Sequence, residues 1–222
     1  MTKFIELFER IYQYKFPNNS LDNLQMRTYH EKQPILIVGE KMDGFYFLIS
    51  GSYYVTSPES NGKELLLRRC TAPSILGDIE IFQQCLIQSN CLAIEQCSFL
   101  FVPIQLYEQT LKFEADFTAL LLKELSFKLK TCTTLSRVNA LSSVNVKLAG
   151  YLCTIHSAKS PDEYLIVQNI KDVADLIGTT NRHVNRILKK WADEHIIIRL
   201  EDSIKIIDFN RLEKISENIR YK

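Results

Sequence analysis

The amino-acid sequence predicts an α+β protein with three parts: an antiparallel β-roll, one long helix, and a pair of short helices followed by a hairpin. Three observations support this fold class. Residues 21 to about 104 form short β-branched or aromatic segments separated by turn residues. Residues 105–136 contain no glycine or proline. Residues 170–191 place apolar side chains at helical spacing, interrupted by Gly178.

The first part, residues 1–104, is predicted to be a β-roll preceded by a helix. Apolar residues recur at helical spacing over residues 2–14, and Pro17 and the polar residues after it end that pattern. Strand-like segments follow at 34–38, 44–49, 52–56 and 97–102. Asn61-Gly62 between two apolar runs is a strong hairpin signal. Short strands at near-regular spacing indicate a small barrel or double-sheet roll.

The second part, residues 105–136, is predicted to be a single helix that is apolar on two faces. One face is a coiled-coil seam with spacings of three and four, made by Leu122, Leu125, Leu129 and Cys132. The other face is made by Phe113, Phe117, Leu120 and Leu121. We expect one face to pack on the β-roll and the seam to form a dimer interface with a second subunit. The alternative is a helix buried within a monomer.

The third part, residues 137–222, is predicted to be a winged helix-turn-helix. A helix over 140–157 precedes it, and the first helix of the motif has an apolar stripe at Ile170, Val173, Ala174 and Ile177. Gly178 suits the positive φ of a tight turn, and Thr180 is a good N-cap for the second helix. That helix buries Val184, Ile187, Leu188 and Trp191. Residues 196–200 and 204–207 flank a polar turn and form the wing, and a short helix is expected within 210–222.

The outer face of the second helix predicts binding to double-stranded DNA. Residues 182–190 contain four basic residues and no acidic one. The predicted DNA-contacting residues are Thr180, Asn181, Arg182, His183, Asn185, Arg186 and Lys189. In a major groove, arginine can pair with guanine and asparagine with adenine. The alternative is a solvated basic helix without a DNA partner, but the turn and the buried partners favour DNA.

Composition limits the remaining classes of function. The net charge of the 222 residues is only +1, so the positive charge of a DNA-binding surface must be local. No secretory signal or membrane-spanning apolar run is present, and we expect a cytoplasmic protein with no membrane partner and six reduced cysteines. The sequence contains no His-Glu-x-x-His, phosphate loop or nucleophile elbow, and its four histidines are scattered, so an enzyme is not expected.

Three glycine-punctuated stretches of the first part add a resemblance to a known family. They are Val38-Gly39-Glu40 to Ile49-Ser50-Gly51, Asn61-Gly62-Lys63-Glu64, and Gly77-Asp78-Ile79-Glu80-Ile81-Phe82. Together with residues 170–191 they resemble the Crp/Fnr family of bacterial transcription regulators over nearly the whole chain. The resemblance implies a cyclic-nucleotide-binding-like jelly roll that senses an effector, and a homodimer that binds a pseudo-palindromic DNA site. It also implies RNA polymerase as a partner.

The resemblance breaks at the effector pocket, whose implied residues are Gly77, Asp78, Gln88 and Ser89. Arg68 or Arg69, on a neighbouring strand, is the alternative source of the positive charge that the family places there. Members that bind cyclic nucleotides have a glutamate at the position of Asp78 and an arginine at the position of Gln88. Glutamine has no charge to offset a buried phosphate, so we expect an effector other than cyclic AMP. In the second helix, Arg186 matches a guanine-reading arginine and Thr180 a phosphate contact. Asn181 and Arg182 depart from the commonest pattern and predict a different half-site.

The cysteines leave one alternative open. Iron-sulfur members place a cysteine cluster ahead of the β-roll, and here no cysteine precedes Cys70. Cys85, Cys91 and Cys97 are spaced six apart and would share a parity within an extended segment, which allows a redox or metal site. Buried, structural cysteines are favoured, so we expect no cofactor and no metal. The competing function is a ligand or redox sensor that acts through protein contacts, with a vestigial DNA-binding domain.

Overall fold

The computed structural model describes residues 2–58, 64–157, 165–166, 170–200 and 203–219. The chain divides into two compact units, residues 1–128 and 129–222, and the division falls inside the long helix. Three predicted turns involve residues outside the described ranges: Asn61-Gly62, the 157–162 loop beyond its first residue, and Glu201-Asp202.

The first unit contains the predicted β-roll. Two four-stranded sheets have the strand orders β1-β8-β3-β6 and β2-β7-β4-β5, and neighbouring strands pair antiparallel. The strands are β1 (Gln25–Tyr29), β2 (Pro34–Leu36), β3 (Gly44–Ser50), β4 (Ser52–Pro58), β5 (Glu64–Thr71), β6 (Ile75–Leu76), β7 (Asn90–Ala93) and β8 (Cys97–Pro103). The β-branched and aromatic segments form strands because their side chains pack well on a pleated, half-buried surface.

Helix α1 (Thr2–Tyr12) packs against strands of the roll, as the sequence predicts. Phe8 is fully buried, and its ring stacks on those of Tyr12 and Phe16 with centroids 4.9 Å apart in both pairs. The Tyr12 hydroxyl accepts from the backbone N–H of Ser74 at 3.0 Å. These contacts fix the helix to the strands because they combine aromatic packing with a satisfied buried hydroxyl.

The prediction of one helix over 105–136 is wrong at its start. The chain forms α3 (Ile104–Gln109), a 3-10 turn (Leu111–Phe113) and then α4 (Ala115–Leu141). Thr110 has φ −135° and ψ −62°, which interrupts the helix and lets Leu111 enter the core of the roll, where it is fully buried. Phe113, predicted on a buried face, lies in the turn and is 75% exposed.

Helix α4 has one face on the roll and one that is open within a single chain. Phe117, Leu120 and Leu121 are buried in the core of the roll, as predicted. Along the predicted seam, Leu122 is 58% and Leu129 is 66% exposed, Cys132 is exposed and Leu125 is half-buried. The dimer interface itself stays a prediction.

The second unit is a winged helix-turn-helix. Its helices are α5 (Val144–Ser157), α6 (Ile170–Leu176), α7 (Asn181–Asp193) and α8 (Phe209–Ile215). Its sheet has the order β10-β11-β9, from β9 (Leu165–Ile166), β10 (Ile197–Arg199) and β11 (Ser203–Ile206). Strand β9 was not predicted, because two residues show no periodicity. The core between these elements includes Val173, Ala174, Ile177 and Trp191.

Candidate nucleic-acid interface and effector pocket

The turn between α6 and α7 has the geometry that its residues predict. Gly178 has φ +68°, a left-handed conformation that glycine adopts without steric cost. The N–H of Thr179 donates to Ala174 O at 2.8 Å, which closes the end of α6. The buried Lys147 on α5 donates from Nζ to Ile177 O at 3.3 Å. Thr180 Oγ1 accepts from the N–H of His183 at 3.3 Å, which confirms the predicted N-cap.

Helix α7 presents a polar face whose residues we call the recognition face: Asn181, Arg182, Asn185, Arg186 and Lys189. Asn181, Arg182, Arg186 and Lys189 are exposed, and Asn185 is half-buried. On the opposite side, Val184, Ile187, Leu188 and Trp191 are buried, as predicted. Burial of one side fixes the rotation of the helix, so the basic residues must face outward. Such a face can meet phosphates and base edges without first losing buried contacts.

His183 is held at the turn, beside the recognition face. Its side chain is half-buried, and its Nδ1 lies 3.2 Å from Thr179 Oγ1. This contact ties the imidazole to the residue before the N-cap. His183 therefore helps to order the start of α7, where base-reading residues lie in a groove-bound helix.

Arg199 on the wing is a candidate residue of this interface that the sequence analysis missed. The Arg199 guanidinium donates from Nη2 to Asn185 Oδ1 at 2.5 Å, and Asn185 Nδ2 donates to Asn181 O at 2.8 Å. Asn185 is thus engaged at both ends of its amide, and an exposed cation is added beside the recognition face. The order of the elements could have indicated it. The first wing strand of a winged helix-turn-helix lies next to the second helix, so a cation on that strand lies close to the outer face of the helix.

In the β-roll, Gly77 and Asp78 form a tightly packed corner. Gly77 has φ +93°, and a Cβ there would lie 2.4 Å from Gly44 O, so only glycine fits. Asp78 begins α2 (Asp78–Gln83) and is 1% exposed. Its carboxylate oxygens lie 2.6 and 2.7 Å from Nζ of Lys128, which also donates to Ile75 O at 2.6 Å. Lys128 belongs to α4 and was assigned to no site by the sequence.

The other implied pocket residues are placed differently. Gln88 is exposed and donates from Nε2 to Leu86 O at 2.8 Å, and Ser89 is half-buried. Arg68 is half-buried on β5, and the exposed Arg69 donates to Ser52 Oγ at 3.3 Å. The structure therefore pairs Asp78 with Lys128, while Gln88 and Arg69 donate to other groups.

Two clefts of the first unit lie away from Asp78. One, of about 470 Å³, is lined by Tyr12–Lys15 and by Asp116, Ala119, Leu120 and Lys123 of α4. The other, of about 360 Å³, lies beside α2 and includes Glu80, Cys85 and Glu108. Neither cleft is lined by Asp78, Gln88 or Ser89.

None of the six cysteines is in a disulfide, and they lie in different surroundings. Cys91 on β7 and Cys97 on β8 are buried in different sheets, because the chain turns between them and is not extended as the shared parity required. Cys97 Sγ donates to Ser52 O at 3.1 Å, and burial raises the pKa of the Cys91 thiol. A raised pKa disfavours the reactive thiolate. Among the described residues, no cluster of three or more histidine, cysteine or carboxylate side chains is arranged to hold a metal ion.

Comparisons with known proteins match both units. Residues 26–112 match the cyclic nucleotide-binding domain family, and residues 146–215 match the Crp-like helix-turn-helix domain family. The chain is 23% identical over 182 residues to the cAMP-activated global transcriptional regulator CRP of Pasteurella multocida, covering 80% of this chain and 87% of that protein. It is 24% identical over 197 residues to the probable transcriptional regulator flp of Lacticaseibacillus casei, covering 87% and 89%.

A solved structure agrees over the full length. A Crp/Fnr-family regulator from Eubacterium rectale, described as putative, superposes with a TM-score of 0.78 at 15% identity, covering 97% of this chain and 99% of that one. The two domain matches occur in the order of the fold described above, and together they cover more than half of the chain. The chain belongs to the Crp/Fnr family.

As a Crp/Fnr protein, the chain is a transcriptional regulator with a helix-turn-helix DNA-binding domain. The entire recognition face and Arg199 lie inside the matched helix-turn-helix segment, and Asp78 lies inside the matched cyclic nucleotide-binding segment. Lys128 lies between the two segments, so neither family model includes it. Among the described residues of this Crp/Fnr protein, no helix is long and apolar enough to cross a membrane.

Proposed function

We propose that the protein regulates transcription by binding a pseudo-palindromic DNA site as a homodimer, with α7 of each copy in successive major grooves. The observation that supports this most is the recognition face, where Arg182, Arg186 and Lys189 are exposed on one side of a helix whose other side is buried. A charged stripe on a helix without this fixed rotation would carry less weight, because it could turn away from DNA.

The residues divide into base readers and phosphate contacts. Arg186 reads a guanine, while Asn181 and Arg182 near the N-terminus of α7 set the rest of the half-site. Lys189 lies two turns later and contacts phosphate, together with Thr180 at the cap. Arg199 adds a cation from the wing. If the Asn185 amide pairs with adenine, the hydrogen bond from Arg199 to Asn185 breaks. RNA polymerase is the partner that a regulator bound in this way would recruit or block.

The seam of α4 supports the dimer. Leu122 and Leu129 are exposed leucines seven residues apart, with Leu125 between them. Leucines at this spacing on two helices interlock as knobs into holes and remove apolar surface from water. A dimer also matches the symmetry of a pseudo-palindrome, whose half-sites are about 10 base pairs apart.

The effector of this protein, if it takes one, is not cyclic AMP in our proposal. The position that would hold an arginine against a cyclic phosphate is the exposed Gln88, and the carboxylate of Asp78 already has an ammonium partner. A cyclic phosphate in this corner would compete with Asp78 for Lys128, and the displaced carboxylate would be left buried without its partner, which is costly. We therefore do not carry the cAMP activation of the Pasteurella relative over to this chain.

Selection from a random-sequence duplex library, followed by sequencing, tests the proposal. We expect enrichment of an inverted repeat, a dimer by sedimentation velocity, and no change of affinity when cyclic AMP is added. If no duplex is retained at low salt, the protein acts through protein contacts instead. Enrichment of a single half-site without its inverted copy would contradict the dimer. A monomer by sedimentation at the protein concentration that binds DNA would also contradict it.

A further inference from the structure

Helix α4 carries a row of side chains into the β-roll that changes from apolar to charged. Phe117, Leu121, Glu124 and Lys128 follow each other at spacings of four, three and four, so they share one face of the helix. Phe117 and Leu121 are buried in the roll, and Glu124 is 8% exposed. The Lys128 side chain is 15% exposed. The face that packs on the roll therefore ends in charged side chains that are largely buried, rather than in further apolar ones.

The ammonium of Lys128 has a complete set of acceptors from the roll. Both oxygens of Asp78 and the carbonyl of Ile75 lie 2.6–2.7 Å from Nζ, and an ammonium has three donors. The Asp78 side chain is 2% exposed, so bulk water has little access to its carboxylate. Breaking such a buried pair from one side leaves an uncompensated charge, which is strongly unfavourable.

Resting on the function proposed above, we propose that Lys128 acts as a built-in substitute for an effector. It delivers a positive charge from α4 to the carboxylate at the corner where the family's roll receives its ligand. The pair holds the first half of α4 against the roll in the absence of any small molecule. Because α4 is continuous from Ala115 to Leu141, this contact sets the start of the helix that leads to the DNA-binding unit. Lys128 is therefore a positioning residue, and the protein is competent to bind DNA without a ligand.

The experiment compares Lys128→Met, Asp78→Asn and the double variant in the full-length protein, using the duplex selected by the wild type. Lys130→Met is the matched control, because Lys130 is an exposed lysine on the same helix. Melting temperature, deuterium uptake of the 115–128 segment, and the DNA dissociation constant are measured for each in buffer without added nucleotide. Asp78→Asn is nearly isosteric, so it serves as the folded single variant if Lys128→Met does not fold.

Lys128→Met should have the lowest melting temperature, since it leaves Asp78 buried without its partner. The double variant should recover part of that loss, because both charges are gone. Its DNA affinity should stay about tenfold below wild type, a typical coupling between two sites, and its uptake over 115–128 should stay raised. Lys130→Met should match wild type in all three measurements.

The outcomes separate this inference from the proposed function. If the DNA affinity of the double variant recovers together with its stability, the pair only supports the fold and the inference is overturned. Unchanged uptake and affinity in Asp78→Asn would also overturn it. If the wild type binds no duplex, the proposed function fails first. Raised uptake in Asp78→Asn would still confirm the contact between α4 and the roll.

Discussion

Substitutions on α7 can separate reading of bases from binding of phosphates. Arg186 and Lys189 are both exposed on the recognition face. If Arg186 pairs with guanine, Arg186→Ala should cost about 1–3 kcal/mol per half-site and relax the preference at one base pair. If Lys189 contacts phosphate, Lys189→Ala should weaken binding to duplexes of every sequence by the same factor. The two variants lose the same charge, so only the groups they contact can distinguish them.

The second measurable quantity is the dependence of DNA affinity on salt concentration. Arg182, Arg186, Lys189 and Arg199 are the exposed cations on and beside the recognition face of one copy. If all of them release counterions, log K should fall against log salt with a slope of about −3.6 for one copy and about −7 for two. Lys189→Ala should reduce the size of the dimer slope by about 1.8.

Fluorescence anisotropy with the selected duplex, and with single-base variants of each half-site, measures both quantities from about 50 to 200 mM salt. Lys214→Ala is the control, because Lys214 is an exposed lysine on α8, which packs against α5. The control should leave slope and preference unchanged. A wild-type slope near zero, or an Arg186→Ala protein with unaltered base preference, would refute the groove-bound orientation of α7.

Variants at three further positions test the cap, the turn and a buried carboxyl group. Thr180→Ala removes the N-cap bond to His183 and should cost about 1 kcal/mol of unfolding free energy in urea, with weaker DNA binding. Gly178→Ala should cost about 1–2 kcal/mol in the same assay, because φ is +68°, while no atom of the described residues lies within 4 Å of the added Cβ. Gly178→Asn should cost less, because asparagine tolerates the left-handed conformation better. Burial raises the pKa of Glu124 above 4.5, so its ionisation opposes folding as pH rises. Glu124→Gln should therefore raise the urea midpoint at pH 7, and this gain should disappear below pH 4.5; an equal gain at both pH values would contradict the cause.

The helix-turn-helix was predictable because its signals are local. The stripe of α6, the glycine at positive φ and the threonine cap all lie within 11 residues, from Ile170 to Thr180. Their spacing is set by the helical repeat, so the sequence alone assigns the buried and exposed sides of α7. Strands β2, β3, β4 and β8 were predictable for the same reason, since turn residues separate them, whereas β1 and β6 were not singled out.

The features that were missed depend on distant contacts. The break at Thr110 has no glycine or proline signal, and it exists because Leu111 gains a buried place among the strands. Lys128 and Asp78 are 50 residues apart in sequence. The four-three-four spacing from Phe117 to Lys128 indicates a shared face, but it does not say which group of the roll meets the lysine. Arg199 required knowledge of where the wing lies relative to α7.

Burial gives the same type of side chain opposite roles in the two units. Lys189 is exposed, so a phosphate can approach its ammonium without displacing any partner that lies inside the protein. Lys128 is held by Asp78 and Ile75, and a small anion entering that corner must replace these contacts where the Asp78 side chain is only 2% exposed. On α7, the exposed Arg199–Asn185 hydrogen bond must rearrange if the Asn185 amide is to pair with a base. The cost of admitting a ligand is therefore higher in the roll than on α7, which is why we expect DNA affinity to depend on salt and on Lys128, and not on added nucleotide.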